Sequence, residues 1–164
     1  MNDREDIHHD FPELISFFKS RFGELIVPDY QRGFDWNAGH VEDLWEDIHN
    51  YVEKFEKGED ETFYVGTIIL KESEEDFKVN KKKRYEIVDG QQRITSFYLL
   101  AIAIRQKFKE FNKDDPYIKE IDSDFINSYV SDENRERQPL PKLLGTKKIR
   151  SVLSIISNND WNED

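Results

Sequence analysis

Apolar positions recur at helical spacing in three stretches of the chain. From Phe11 to Phe22 they fall at Phe11, Leu14, Ile15, Phe17, Phe18 and Phe22, with Pro12 near the first turn. That pattern predicts a helix stopped by Gly23, followed by a short strand Glu24-Leu-Ile-Val27 that ends at Pro28. A second helix is predicted from His40 to Lys57 and ends at Gly58. Val41, Leu44, Trp45, Ile48, Val52 and Phe55 share one stripe, while Glu42, Asp43, Glu46, Asp47, Glu53 and Glu56 make a solvated face. The third stretch, Gln91 to Phe111, sets Ile94, Phe97, Ala101, Ile104, Phe108 and Phe111 on one line. Leu99, Leu100 and Ile102 make its middle apolar nearly all round, which predicts the central buried helix.

Strand character lies between the second and third helices. Thr62-Phe-Tyr-Val-Gly-Thr-Ile-Ile-Leu70 is β-branched and aromatic, and Arg84-Tyr-Glu-Ile-Val88 alternates before two buried-type residues. The two are expected to pair as a hairpin across a charged connection, Lys71 to Arg84, with a short strand near Phe77–Val79. Asn112-Lys-Asp-Asp-Pro116 ends the third helix, and the chain then runs polar to Arg137 with scattered aromatics. Pro139-Leu-Pro-Lys-Leu-Leu144 reads as extended and Ile149–Ile156 as a last helix. The result is one α+β domain over residues 11–156, flanked by polar ends at 1–10 and 157–164. The abrupt stop at Asp164 suggests a chain cut from a longer one.

Composition narrows the function classes. The 164 residues are 37% hydrophobic, 36% charged and 13% aromatic, polar for a globular domain yet too aromatic for wholesale disorder. The absence of cysteine removes disulfides, thiolate zinc sites and cysteine nucleophiles together. No apolar run approaches the ~20 residues that span a bilayer, and the acidic start is no signal peptide. A soluble, cytoplasmic protein with no membrane partner is expected. A net charge of −11 disfavours non-specific DNA binding, which draws its affinity from neutralising phosphates. The basic spots Lys81–Arg84 and Lys147, Lys148 and Arg150 are short and read as solvated loops. Contact with DNA would need other domains or chains.

The candidate chemistry sits where the second strand meets the third helix. In Asp89-Gly-Gln-Gln-Arg93, free N–H groups and the helix dipole attract phosphate. Gly90 permits close backbone approach to a ligand, and Arg93 offers a permanently charged fork for phosphate oxygens. Thr95 and Ser96 add hydroxyls, and Asp89 can bind magnesium through its carboxylate. The same five residues also fit a purely structural reading, with Asp89 and Gln92 as a capping-box variant, Gly90 as a turn and Arg93 as a surface charge. The sequence is neither a Walker A loop nor a G-x-G-x-x-G turn.

A second cluster, Val27-Pro-Asp-Tyr-Gln-Arg-Gly-Phe-Asp-Trp36, supplies Arg32 for another phosphate and Gln31 for a water or base edge. Tyr30, Phe34 and Trp36 are candidates to stack on a base. Alternatively Phe34 and Trp36 plug the core, a role expected of Trp36 in particular, while Arg32 pairs with an acid. Hydrolysing a nucleotide requires positioning, a metal ion and cations on the phosphates. Asp89, Arg93 and Arg32 meet those needs, with Gln91 or Gln92 orienting water. No general base stands out. His8, His9, His40 and His49 all precede residue 50 without metal-ligand spacing, so the C-terminal half holds no histidine-metal nuclease site.

The paired motifs Val27–Trp36 and Ile87-Val-Asp-Gly-Gln-Gln-Arg-Ile-Thr95 resemble the GmrSD N-terminal (GmrS-like) family of the ParB/sulfiredoxin-like superfamily. The acidic helix and the Phe63–Ile69 strand between them match in kind and order. The resemblance implies a small mixed sheet packed against helices with one long helix after the Asp-Gly-Gln-Gln-Arg motif. It also implies the nucleotide-binding, NTP-hydrolysing first module of a prokaryotic anti-phage protein that restricts modified DNA. By that resemblance Asp89, Gln91, Gln92 and Arg93 act on a nucleoside triphosphate. Gly90, Tyr30, Gln31 and Arg32 lie in the same site and, with Arg93, help to bind it; Thr95 as a further binding residue and Asp89 as the magnesium ligand are expected from their own chemistry. A nuclease domain or partner is implied too, since the family's usual histidine-type nuclease is absent from this sequence. Sulfiredoxin chemistry is excluded because it requires a cysteine. A non-catalytic DNA- or protein-binding module with the same fold is the alternative.

Overall fold

The computed structural model describes residues 18, 22–59, 62–73, 83–131, 137–146 and 153. Two of the expected helices, Phe11–Phe22 and Ile149–Ile156, lie outside the described residues except at their inner contacts. Phe18 and Leu153 are both helical and buried. The expected strand near Phe77–Val79, both polar ends, Lys81 and Lys82, and the spot at Lys147, Lys148 and Arg150 also lie outside.

The first strand, β1, runs from Phe22 to Ile26 and starts two residues earlier than expected. Gly23 therefore does not stop a helix. It sits where the pairing with the third strand slips, between Phe22 and Glu24, the kind of bulge that glycine accommodates. Helix α1 spans Ala38–Glu56. Asn37 caps it by accepting from the His40 N–H (3.2 Å), and the His40 side chain answers at the Asn37 N–H. Only part of its apolar stripe reaches the interior. Leu44 and Ile48 lean on the core, whereas Val41, Trp45, Val52 and Phe55 stay exposed.

Strand β2 covers Ile69–Glu72 and pairs antiparallel with β3, Lys83–Asp89, so the expected hairpin forms. The expected strand from Thr62 is cut to its last two residues, because Gly66 adopts φ +90° and turns the preceding segment off the sheet. Phe63, Val65 and Ile68 still pack against the core from that loop. Helix α2, Gln91–Phe111, has the predicted bounds. Its buried line, however, runs through Ile94, Tyr98, Ile102 and Arg105, while Ile104 and Phe111 face solvent.

The shift has a cause further along the chain, in a region that reads as merely polar. Helix α3, Pro116–Ile121, is capped by Asp115 and continues into a π-helical turn, Asp122–Ile126. These elements cover one side of α2. Arg105 Nη1 donates to Asp122 Oδ1 at 2.5 Å and Tyr98 donates its hydroxyl hydrogen to the Ile126 carbonyl (3.2 Å). Strands β4 (Asn127–Ser131) and β5 (Arg137–Pro141) make a separate two-stranded ribbon. Such a ribbon has only edges, where Pro139 and Pro141 are tolerated. The two-residue β6, Leu143–Leu144, joins the main sheet, whose order is β2-β3-β1-β6. β1 runs parallel to both β3 and β6. The chain is thus α+β, as expected, with its core between sheet and α2 at Leu25, Val27, Ile87, Ile94, Phe97, Tyr98, Ile126 and Leu143.

Lys142 locks this end of the fold. Its buried ammonium donates to the carbonyls of Ser123 (2.6 Å), Asp124 (2.6 Å) and Phe18 (3.0 Å). All three donors of an ammonium are thereby used, and two of the acceptors belong to the π turn.

Candidate functional site

β3 ends at Asp89, Gly90 turns the chain, and α2 begins at Gln91. Gly90 adopts φ 87° and ψ 9°, so an L side chain would be strained there. A Cβ on it would come within 3.2 Å of the Thr67 carbonyl oxygen and Ile68 Cγ1. The close approach that Gly90 permits is therefore to the chain's own Thr67–Ile68 segment. Gly90 is also the helix N-cap, with no side-chain hydrogen bond to the first turn. The capping-box reading of Asp89 and Gln92 is thus overturned. Asp89 is exposed on the strand end, and the Gln92 amide turns the other way.

Two loops converge on this helix start. The first, Asp29–Trp36, is fastened by glutamines from both motifs. Gln31 Nε2 donates to the Val88 carbonyl (2.9 Å), Gln91 Nε2 to the Arg32 carbonyl (2.7 Å) and Gln92 Nε2 to the Gly33 carbonyl (2.9 Å). Gln92 Oε1 then accepts from the Asp35 N–H at 2.9 Å. One primary amide so mimics a strand neighbour for the Gly33–Asp35 backbone. The second loop is fastened by Arg93, whose Nη1 donates to the Thr67 carbonyl (3.1 Å). Its guanidinium lies on the face of Gly66, where a Cβ would stand 2.5 Å from Nη1. Gly66 and Thr67 escape a sequence reading, although a glycine inside a strand-like run is the available signal.

Each expected site residue now has a place. Asp89, Gly90, Gln91, Gln92 and Arg93 are contiguous at the helix start, with Gln31 against the strand end. Arg32 reaches α2 only through its carbonyl, while its exposed guanidinium pairs with Asp35 at 3.5 Å. Tyr30 is 73% exposed and open to a stacking partner. The hydrophobic-plug reading fails for Phe34 and Trp36. Neither belongs to the core, and Trp36 stacks on His40 with ring centroids 5.8 Å apart. Thr95 and Ser96 are buried, and Ser96 Oγ is spent on the Gln92 carbonyl within the helix (3.0 Å).

The start of α2 differs from those of α1 and α3, each of which has a side-chain cap. Its first turn contains no acidic residue and no side-chain cap, yet it carries Arg93. A positive helix end ordinarily attracts acidic side chains. Among the described residues no three His, Asp or Glu gather into a metal-holding group, at Asp89 or elsewhere. No helix among them is long and apolar enough to cross a membrane.

The model for the GmrSD restriction endonuclease N-terminal domain matches residues 13–163. The chain belongs to that family. A relative of this GmrSD N-terminal domain, the uncharacterized protein MJ0686 of Methanocaldococcus jannaschii, is 30% identical over 142 residues, 78% of this chain. The chain spans 22% of that relative's length. Within the GmrSD N-terminal domain described here, the two motif segments meet directly. Their shared purpose at the backbone level is to clasp one loop onto the start of α2.

Proposed function

We propose that this GmrSD N-terminal domain is the nucleotide-handling module of a restriction system. It binds a nucleoside triphosphate with magnesium at the α2 N-terminus, hydrolyses it, and so gates a nuclease that acts on modified phage DNA. The observation that carries this reading is the first turn of α2, uncapped and bearing a cation where a self-sufficient helix places an acid. An anion there would satisfy N–H groups and offset like charge together, which is how helix starts bind phosphate. Arg93 spends one of its five N–H donors on Thr67 among the described contacts, leaving others for phosphate oxygens.

Magnesium fits only in company with the phosphates. The ion accepts one or two carboxylates plus phosphate oxygens and water, and Asp89 is a single exposed carboxylate at the right place. When bound, the ion supplies charge neutralisation on the phosphates. The chain's own part is positioning: Arg93 and the α2 amides hold the phosphates, Asp89 holds the ion, and exposed Tyr30 offers a stacking face. Gln92 is committed at both ends to the loop, which favours Gln91 as the side chain that orients water. That same commitment supports the rival reading, a binding module without turnover.

Calorimetric titration of the purified domain with triphosphates and magnesium tests the proposal. One site per chain is expected. Asp89→Asn should abolish the magnesium dependence of affinity, and Arg93→Ala should weaken binding at least tenfold. Equal affinities for wild type and both variants would remove the site from this junction.

A further inference from the structure

Gln91 and Gln92 are neighbours of the same type, each more than nine-tenths buried, yet their surroundings divide them. Gln92 has both amide ends satisfied by loop backbone, at Gly33 and Asp35. Gln91 has only its Nε2 satisfied, and its Oε1 is closed off from solvent with no donor among the described residues. Reversing the Gln91 amide would set oxygen against the Arg32 carbonyl oxygen, so the orientation is fixed by that contact. A buried acceptor left without a donor is costly and calls for a physical reason. It occurs on the first residue of a 21-residue helix whose start is uncapped.

Resting on the nucleotide reading above, we propose that the two glutamines have separate tasks. Gln92 is the latch that holds the Asp29–Trp36 strap against α2, and Gln91 Oε1 is the ligand-facing acceptor beneath it. The partner of Gln91 Oε1 is an O–H donor of the bound triphosphate complex, either a ribose hydroxyl or a water on the magnesium ion. The strap must open to admit the ligand. Its fastenings suit that motion: they are a few amide hydrogen bonds, and the strap from Arg32 to Asp35 is exposed.

The test uses isotope-labelled wild-type protein, Gln91→Met and Gln92→Met. Each is titrated with the four ribonucleoside triphosphates, then with the 2′,3′-dideoxy form of the one that binds, with and without magnesium. In wild type the Gln91 side-chain amide signal should shift on binding, a readout that does not depend on the folding of Gln91→Met. Gln91→Met should weaken binding about tenfold, the loss of one good hydrogen bond. If the dideoxy form is weakened equally and Gln91→Met adds nothing further, the donor is a ribose hydroxyl. If the effect of Gln91→Met disappears without magnesium, the donor is water on the ion. Gln92→Met should lose exchange protection at the Asp35 amide, and full retention there would refute the latch. Binding by wild type with Gln91→Met within twofold and an unmoved Gln91 signal would overturn the ligand-facing role, leaving only an internal water. Failure of wild type to bind any triphosphate would overturn the nucleotide reading itself.

Discussion

Gly66→Ala is the most informative single change in this domain. Gly66 sits at φ +90°, and an added Cβ would lie 2.5 Å from Arg93 Nη1 and 2.7 Å from Cζ. Two costs follow. Holding a side chain at positive φ costs about 1–2 kcal/mol. The guanidinium, being the end of a flexible side chain, can move aside, but it then loses the Thr67 carbonyl, worth about 0.5–1.5 kcal/mol. Together these give roughly 2–3 kcal/mol, or about 4–12 °C in Tm for a domain of this size. Displacing Arg93 should also weaken triphosphate binding. A double-mutant cycle separates the terms. In an Arg93→Ala background the contact is already gone, so Gly66→Ala should cost only the backbone strain, about 1–2 kcal/mol. Thermal and urea unfolding of the four proteins measures this. An identical cost of Gly66→Ala in both backgrounds would show that Arg93 does not rest on Gly66.

Other consequences are as concrete. Gly90→Ala meets rigid backbone at Thr67 and Ile68 and should lower stability by at least about 1 kcal/mol, whereas Gly33→Ala, with nothing within 4 Å of its Cβ, should stay within ~0.5 kcal/mol by urea unfolding. Asp122→Asn leaves the buried Arg105 without its carboxylate and should cost about 3–5 kcal/mol in the same assay. Asn37→Ala removes the α1 cap and should cost about 1 kcal/mol, seen as faster amide exchange at His40.

The parts of this fold legible in the sequence are those with a local cause. α2 shows its bounds because a long apolar run begins after a glycine and ends at Asn112, and the β2–β3 hairpin follows from two strand-type runs. The region from Pro116 to Pro141 is less readable. Its elements are short, and what orders them is tertiary: Arg105 buried against Asp122, and Lys142 gathering the carbonyls of the π turn. Without Asp122 in view, Arg105 reads as a surface residue on the wrong face of α2, which is why the buried stripe turns away from Ile104. Strand propensity misleads at Thr62–Ile68, where a single backbone angle at Gly66 outweighs six favourable side chains.

At the site, residue types are visible from the sequence but their partners are not. Asp-Gly-Gln-Gln-Arg and Tyr-Gln-Arg stand out as chemistry, yet the amides of Gln31, Gln91 and Gln92 grip backbone across a separation of more than fifty residues. No local pattern announces that Gln92 completes a loop or that Gly90 serves the Thr67–Ile68 segment. What the sequence does convey is the start of a long helix after a glycine, with an arginine in its first turn; that no side chain caps it is visible only in the fold.

On the proposed function, the start of α2 holds the phosphates of a nucleotide. Amide chemical-shift mapping of the labelled domain during titration with a triphosphate and magnesium tests it most directly. The largest, saturable shifts are expected at the backbone amides of Gly90 to Ile94, with smaller ones at Arg32 to Asp35. Saturable shifts elsewhere that leave Gly90 to Ile94 unmoved, or no shifts at millimolar nucleotide, would contradict it.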